Sequence, residues 1–215
     1  MTSPLWQAVR GALALTMLLL LAACGGNKDV KKDQPAAGAG DQSEGEQLAE
    51  NIRQARQGNE EVTEYDLNHD KRPDVWSYTV KAKDEQGRTF DKLIRKELDI
   101  NWDGKVDITR NYDDNEQVAR EALDLDFDGK VDQVNFYEKG QIVRKERDLD
   151  YNGKPDLWLY FEKGKIVRKE RDTDSNSKVD YWEYWEGDRV DRVGEDLDGD
   201  GTVDRWTKNP SSSEE

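Results

Sequence analysis

From Glu61 onward the chain alternates between short runs rich in Trp, Tyr, Phe, Val and Leu and short runs that are mostly charged. Two neighbouring stretches, QVNFYEKGQIVRKERD and LWLYFEKGKIVRKERD, nearly repeat each other, and each splits at a Lys-Gly step. Short runs with aromatic and β-branched content, joined by residues that tolerate φ > 0, read as β-hairpins. The predicted turns are Asp114-Asn115, Lys139-Gly140, Lys163-Gly164 and Glu186-Gly187, with a longer excursion through Asp84-Glu85-Gln86-Gly87 in the first unit. The pattern predicts a mostly β domain over 59–208, built of repeated hairpins as an antiparallel meander or a β-solenoid. It fits an open and a closed sheet equally. A last single strand precedes the polar tail 209–215. Upstream, Leu48, Ile52 and Ala55 fall near helical intervals, which predicts one short helix over 47–58 closed by Gly58.

What joins the hairpins is more regular still. Six segments align: DLNHDKRPD from Asp66, DINWDGKVD from Asp99, DLDFDGKVD from Asp124, DLDYNGKPD from Asp148, DTDSNSKVD from Asp172 and DLDGDGTVD from Asp196. Their starts are 33, 25, 24, 24 and 24 residues apart. A fixed period of this length marks a repeat architecture, with all six loops on one edge of the sheet and the hairpin turns on the other.

The shared spacing is D-x-[DN]-x-[DN]-G-x-x-D. Alternate short acidic side chains on a tight loop can all face inward, and calcium takes six to eight hard oxygens in flexible geometry. The predicted ligands are Asp66, Asn68, Asp70 and Asp74 in the first loop, and Asp99, Asn101, Asp103 and Asp107 in the second. The third offers Asp124, Asp126, Asp128 and Asp132, the fourth Asp148, Asp150, Asn152 and Asp156. The fifth offers Asp172, Asp174, Asn176 and Asp180, and the sixth Asp196, Asp198, Asp200 and Asp204. A backbone carbonyl at position seven completes each set, and glycine at position six allows the sharp turn. Up to six calcium ions are expected. The third and sixth loops, with four carboxylates and glycine, should bind best, while Lys71 and Ser177 replace that glycine in the first and fifth. Magnesium demands a stricter octahedron, and zinc or copper would want more than one His or Cys. The competing reading is a set of Asp-rich turns without metal, since Asp and Asn favour turns by themselves.

These loops resemble the DxDxDG calcium loops of EF-hands, dockerins, thrombospondin type 3 repeats and integrin-type propeller blades. They depart from the EF-hand at position twelve, where a bidentate Glu is expected. That position holds Ser77, Arg110, Asn135, Leu159, Glu183 and Thr207. The flanks are strands rather than helices. The resemblance therefore implies a structural loop with weak affinity, on the order of 10⁻⁴ to 10⁻³ M, rather than a calmodulin-like sensor.

Charge gives this reading its force. The chain carries a net charge of −15, with 38% charged and only 34% hydrophobic residues. Such a balance usually means disorder, yet the chain holds 7 Trp and 8 Tyr. Cations at the loops would gather the negative charge and let the aromatic residues pack. Nucleic acid is an improbable partner for so acidic a chain.

The N-terminal segment reads as targeting. Arg10 flanks an apolar run, Gly11 to Leu21, too short to anchor in a bilayer, and Leu21-Ala22-Ala23-Cys24 follows with Gly25 after it. This resembles the lipobox of bacterial lipoproteins. It implies a signal peptide over 1–23, lipidation of Cys24, a flexible tether over 24–46, and anchoring to the outer membrane, Gly25 rather than Asp following the cysteine. Cys24 is the only cysteine, so no disulfide supports the fold. The arrangement of lipobox, tether and DxDxDG repeats is similar to acidic surface lipoproteins that accompany myxobacterial gliding motility. That resemblance implies an envelope protein partner.

Two further groups complete the inventory. Counted from each loop's first Asp, position eleven holds Trp76, Trp158, Trp182 and Trp206, and position thirteen holds Tyr78, Phe136, Tyr160 and Tyr184. Residues two apart on a strand share a face, so these rows form either the core or an exposed platform for polysaccharide or peptidoglycan. The charged return strands, with Arg144, Glu146, Arg168 and Glu170, read as cross-strand ion pairs on a solvated face. No nucleophile–base set can be assembled around the lone His69, so the chain is expected not to be an enzyme.

Overall fold

The computed structural model describes residues 56–209. The helix predicted over 47–58 falls almost wholly outside the described residues; at its end, Gly58 stands in a turn with φ 51°. The N-terminal segment with Cys24 and the tail beyond 209 also lie outside them.

Twelve antiparallel strands follow each other in one sheet whose spatial order is the sequence order. They are β1 (Glu61–Tyr65), β2 (Val75–Lys83), β3 (Thr89–Leu98), β4 (Ile108–Tyr112), β5 (Val118–Leu123) and β6 (Gln133–Glu138), then β7 (Gln141–Arg147), β8 (Leu157–Glu162), β9 (Lys165–Arg171), β10 (Tyr181–Glu186), β11 (Arg189–Glu195) and β12 (Arg205–Lys208). This is the predicted meander, and its ends β1 and β12 leave the sheet open. Among the described residues no helix is long and apolar enough to cross a membrane.

Each hairpin carries a register shift at the same place, just after position thirteen: Tyr78/Thr79, Asn111/Tyr112, Phe136/Tyr137, Tyr160/Phe161 and Tyr184/Trp185. A bulge re-aims the side chain that follows it. Tyr137 and Trp185 reach polar partners on the far side, Glu121 at 3.2 Å and Glu183 at 3.2 Å.

Cross-strand pairing assembles two continuous rows on one face. The first runs Glu64, Trp76, Glu97, Thr109, Ala122, Val134, Glu146, Trp158, Glu170, Trp182, Gly194, Trp206. The second, two residues along each strand, includes Tyr78, Arg95, Phe136, Arg144, Tyr160, Arg168, Tyr184 and Arg192. Trp76, Tyr78, Ala122 and Val134 join Val106 and Val131 in the buried cluster. Those two valines come from position eight of their loops, so the loops themselves supply apolar cover for the sheet. At Gly194 a Cβ would meet the Trp206 ring and Val203 at 3.0 Å, which leaves room for glycine alone.

The charged return strands do not lie on a solvated face as the sequence suggests; one side of each is buried. Arg144, Glu146, Arg168 and Glu170 lie on the aromatic face, and Glu97, Glu146 and Glu170 are only 0%, 2% and 0% exposed. Each arginine stacks on the ring beside it and reaches the glutamate two residues on. Arg95 covers Tyr78 at 3.8 Å, Arg144 covers Phe136 at 4.1 Å and Arg168 covers Tyr160 at 3.9 Å. The matching ion pairs are Arg95–Glu97 at 3.2 Å, Arg144–Glu146 at 3.3 Å and Arg168–Glu170 at 3.2 Å. A planar guanidinium can stack and pair at once, which lysine cannot do as well. Burial pushes the Glu170 carboxyl up, against the pull of Arg168 and the Tyr160 hydroxyl. Burial and the charge of Glu170 push the Tyr160 hydroxyl up to about 12. Lys145 and Lys169 take the opposite face, where Lys169 makes the expected cross-strand pair with Glu183 at 3.1 Å.

Candidate metal centre

Each loop is wound around its own carboxylates. In the third loop, Asp124 Oδ1 accepts the Phe127 N–H at 2.7 Å and its Oδ2 accepts the Gly129 N–H at 2.6 Å. Asp132 Oδ2 accepts the N–H groups of Leu125 and Asp126 at 2.5 and 3.2 Å. Asp126 Oδ1 accepts from Asp128 N–H, and Asp128 Oδ1 from Lys130 N–H. The same scheme recurs around Asp66 and Asp74, Asp99 and Asp107, Asp148 and Asp156, Asp172 and Asp180, and Asp196 and Asp204. Backbone donors so placed fix which way every carboxylate points.

The loops require two left-handed residues each, and glycine marks both only in the sixth, where Gly199 and Gly201 adopt φ of 77° and 90°. Position six has φ of 89° at Gly104, 95° at Gly129, 90° at Gly153 and 90° at Gly201, with Lys71 and Ser177 adopting 75° and 67°. Position four is also left-handed: His69 at 67°, Trp102 at 70°, Phe127 at 66°, Tyr151 at 60° and Ser175 at 60°. Bulky residues pay for that conformation, so the loop's hydrogen bonds must hold them there. His69, the single histidine, is exposed at this position, as expected.

What this winding brings together is a triplet of carboxylate oxygens, from positions one, three and nine, within 4.8 Å of one another. It occurs at Asp124, Asp126 and Asp132; at Asp148, Asp150 and Asp156; at Asp172, Asp174 and Asp180; and at Asp196, Asp198 and Asp204. These arrangements can hold a metal ion. In the first two loops Asn68 and Asn101 stand at position three and supply an amide oxygen instead, leaving two carboxylates for that triplet. The fifth-position residues Asp70, Asp103, Asp128, Asn152, Asn176 and Asp200 each accept or share a turn hydrogen bond at the rim. Lys130 reaches back to Asp128 Oδ2 at 2.7 Å and lowers its pKa, so a cation at the third loop would compete with that ammonium.

Two observations test whether the donor set suits a cation. Asp107 is 0% exposed, and its Oδ1, the ninth-position oxygen not used by backbone N–H groups, has no hydrogen-bond partner. Among the described residues Asp180 Oδ1 is also buried without a hydrogen-bond partner, although Asp180 as a whole is half-buried. A buried carboxylate oxygen without a partner carries its full desolvation cost, which a bound cation would remove. Burial also raises the carboxyls of Asp107, Asp124, Asp132, Asp148 and Asp172 above the ordinary value, offset by backbone N–H groups and, except at Asp148 and Asp172, joined by two crowding carboxylates. Among the described residues the donors are hard oxygens, the chemistry that suits oxygen-seeking divalent ions.

The aromatic rows divide. Trp76, Tyr78 and Trp182 are core; Trp158, Tyr160 and Tyr184 are half-buried; only Trp206 is exposed, packed at 5.6 Å against Tyr184. Sequence reasoning missed a different exposed row. Trp102, Phe127 and Tyr151, at position four of three successive loops, are 49%, 40% and 47% exposed. Ile100, Leu125 and Leu149 at position two lie beside them in sequence and are exposed as well. The signal was available, since position four is never a ligand and these three loops all place an aromatic there.

No family model matches the sequence, and no curated protein does. Among solved structures the chain is similar to that described as "Crystal structure of accessory secretory protein 1,2 and 3 in Streptococcus pneumoniae", at 17% identity and a TM-score of 0.38. The match covers 55% of this chain and 20% of that one, so the chain spans about a fifth of its length.

Proposed function

We propose that this chain is a non-catalytic, calcium-stabilised repeat lipoprotein. In this reading Cys24 carries the lipid, residues 24–46 hold the sheet off the outer membrane, and the sheet serves as a structural or interaction component of an envelope or cell-surface assembly. The observation that carries the calcium assignment is the buried, unpartnered Oδ1 of Asp180, on a loop that brings three carboxylates together, with the same orphaned oxygen at Asp107 in a loop where Asn101 replaces one carboxylate. Calcium is favoured over magnesium because the loops offer flexible side-chain and carbonyl oxygens in number, and magnesium keeps its waters. Its role is mechanical. It binds the wound loop and not the unfolded chain, so it stabilises by mass action.

The test is thermal unfolding of the full-length chain in EDTA and across a calcium titration, with magnesium as control and bound ions counted by equilibrium dialysis. Each site filled to ten times its Kd adds about 1.4 kcal/mol. Calcium-specific stabilisation approaching six ions is expected. An unchanged melting temperature at millimolar calcium would leave the loops as metal-free turns and sink the assignment.

Polysaccharide binding is the second reading, and it rests on the exposed row Trp102, Phe127 and Tyr151 rather than on the position-eleven and position-thirteen residues. Exposed aromatic faces in a row suit stacking against sugar rings. Retention on insoluble polysaccharide that is lost in Trp102→Ala would support it; equal retention of both proteins would remove it.

A further inference from the structure

The two ends of the sheet are unfinished in complementary ways. Inside the sheet, every position-eleven residue sits between two cross-strand neighbours: Trp182 lies between Glu170 and Gly194, and Trp158 between Glu146 and Glu170. Among the described residues Trp206 has Gly194 on one side only and is 41% exposed, against 2% for Trp182. At the other end, among the described residues, Glu64 pairs with Trp76 on one side only and is exposed, whereas its equivalents Glu97, Glu146 and Glu170 are buried between two strands. A repeat protein that ends in solvent replaces such residues with polar caps. Here β12 keeps the internal tryptophan, and β1 keeps the internal glutamate.

We infer that β12 of one chain pairs with β1 of a second copy, so that the meander continues from molecule to molecule. The strand directions allow it. β12 runs opposite to all odd-numbered strands, so β1 of the next copy adds antiparallel with every loop still on the same edge. The repeat dictates the register: Trp206 falls opposite Glu64, as Trp76 falls opposite Glu97 and Trp158 opposite Glu170. Arg205 then faces Tyr65, which is 48% exposed, and Lys208 stands diagonal to Glu64. The loop ladder extends as well. Each internal loop donates its first N–H to the last carbonyl of the loop before, as Asp196 does to Asp180 at 2.9 Å, and Asp66 of the added copy would meet Asp204 in the same way.

Charge selects this joint over its alternatives. β12 carries Arg205 and Lys208, and β1 carries Glu61 and Glu64. Two β12 edges or two β1 edges would gather charge of one sign, while β12 against β1 brings Lys208 diagonal to Glu64 and leaves Arg205 with Glu195 at 2.8 Å and Glu61 with Lys81 at 3.4 Å. Such a head-to-tail contact does not close, so it builds chains rather than dimers.

Sedimentation velocity of the full-length chain over a concentration series, in calcium and in EDTA, tests this without depending on the calcium assignment. The expected mass grows past two chains as concentration rises. Trp206→Glu, which sets two carboxylates opposite each other across the joint, should weaken association by about tenfold or more. Adding Glu64→Arg to that variant should restore it; because Trp206 also packs on Tyr184 and Gly194 within its own chain, sedimentation is run well below the melting temperature of each variant, where all are folded. A single chain's mass at every concentration overturns the joint, as does a mass that halts at two chains. Association that Trp206→Glu leaves intact also overturns it, because the contact then lies elsewhere, the N-terminal segment included.

Discussion

The N–H of Asp172 donates to the carbonyl of Asp156 at 3.0 Å, so the first residue of one loop hangs from the last residue of the loop before it. The same bond links Asp99 to Asp74, Asp124 to Asp107, Asp148 to Asp132 and Asp196 to Asp180. Because Asp156 also accepts two N–H groups of its own loop, a change at one carboxylate is felt both within that loop and beside it.

Asp132→Asn separates winding from metal binding. The amide oxygen still accepts the Leu125 and Asp126 N–H groups, so stability in EDTA should fall by less than about 1 kcal/mol. Under calcium the count of bound ions should drop by one, and the gain in melting temperature should shrink. Dialysis with ion counting, beside urea unfolding, reads both. An unchanged ion count would show that the third loop takes no calcium.

Arg168→Met removes the guanidinium that stacks on Tyr160 and pairs with Glu170, which is 0% exposed. An uncompensated buried carboxylate should cost about 3–5 kcal/mol. The double variant Arg168→Met/Glu170→Met should recover most of that loss, because well-packed apolar groups replace buried pairs at little cost. Equal destabilisation of the single and double variants in urea melts would contradict this account.

Glu121 governs part of the acid limb of stability. Burial raises its carboxyl, but Arg110 at 2.7 Å, Asn135 at 3.0 Å and Tyr137 outweigh burial and hold it below the ordinary 4.5. A depressed folded-state pKa contributes stability that is present above about 4.5 and lost as pH falls through the folded value. Glu121→Gln should therefore be less stable than the wild type near pH 7, with the gap narrowing below about pH 4.5. Urea melts at pH 7 and pH 3 measure it; a gap that stays constant would remove the linkage.

The meander and its loops could be read from the sequence because each rests on local chemistry. Asp at positions one and nine winds a loop through its own backbone N–H groups, and Lys-Gly steps turn a hairpin without help from elsewhere. The arginine–aromatic–glutamate face was not legible, since charge in the return strands suggests solvent when strands are read one at a time. Only the register shows that Arg144 and Glu146 share a face with Phe136 and Trp158. The i, i+2 spacing of RxE opposite WxY was the available sign. Left-handed φ at Trp102, Phe127 and Tyr151 was equally hidden, because bulky residues rarely adopt it and nothing in their own chemistry asks for it.

The two long margins of the sheet have different freedoms. Along the loops, each repeat is bonded to the next through the paired aspartates, and the pitch of two strands, about 9–10 Å, is thereby set. Along the hairpins the links between units are side-chain ones, Leu93 N–H to Glu116 Oε1 at 3.0 Å and Lys165 to Asp188 at 3.0 Å, and there the first unit runs to strands of nine and ten residues where later units use five to seven. Teeth of a comb can lengthen while the spine keeps its pitch. A label, an epitope or a new recognition element would be grafted at Asp84–Gly87 without retuning a single loop, and natural variants would gain reach at the same margin.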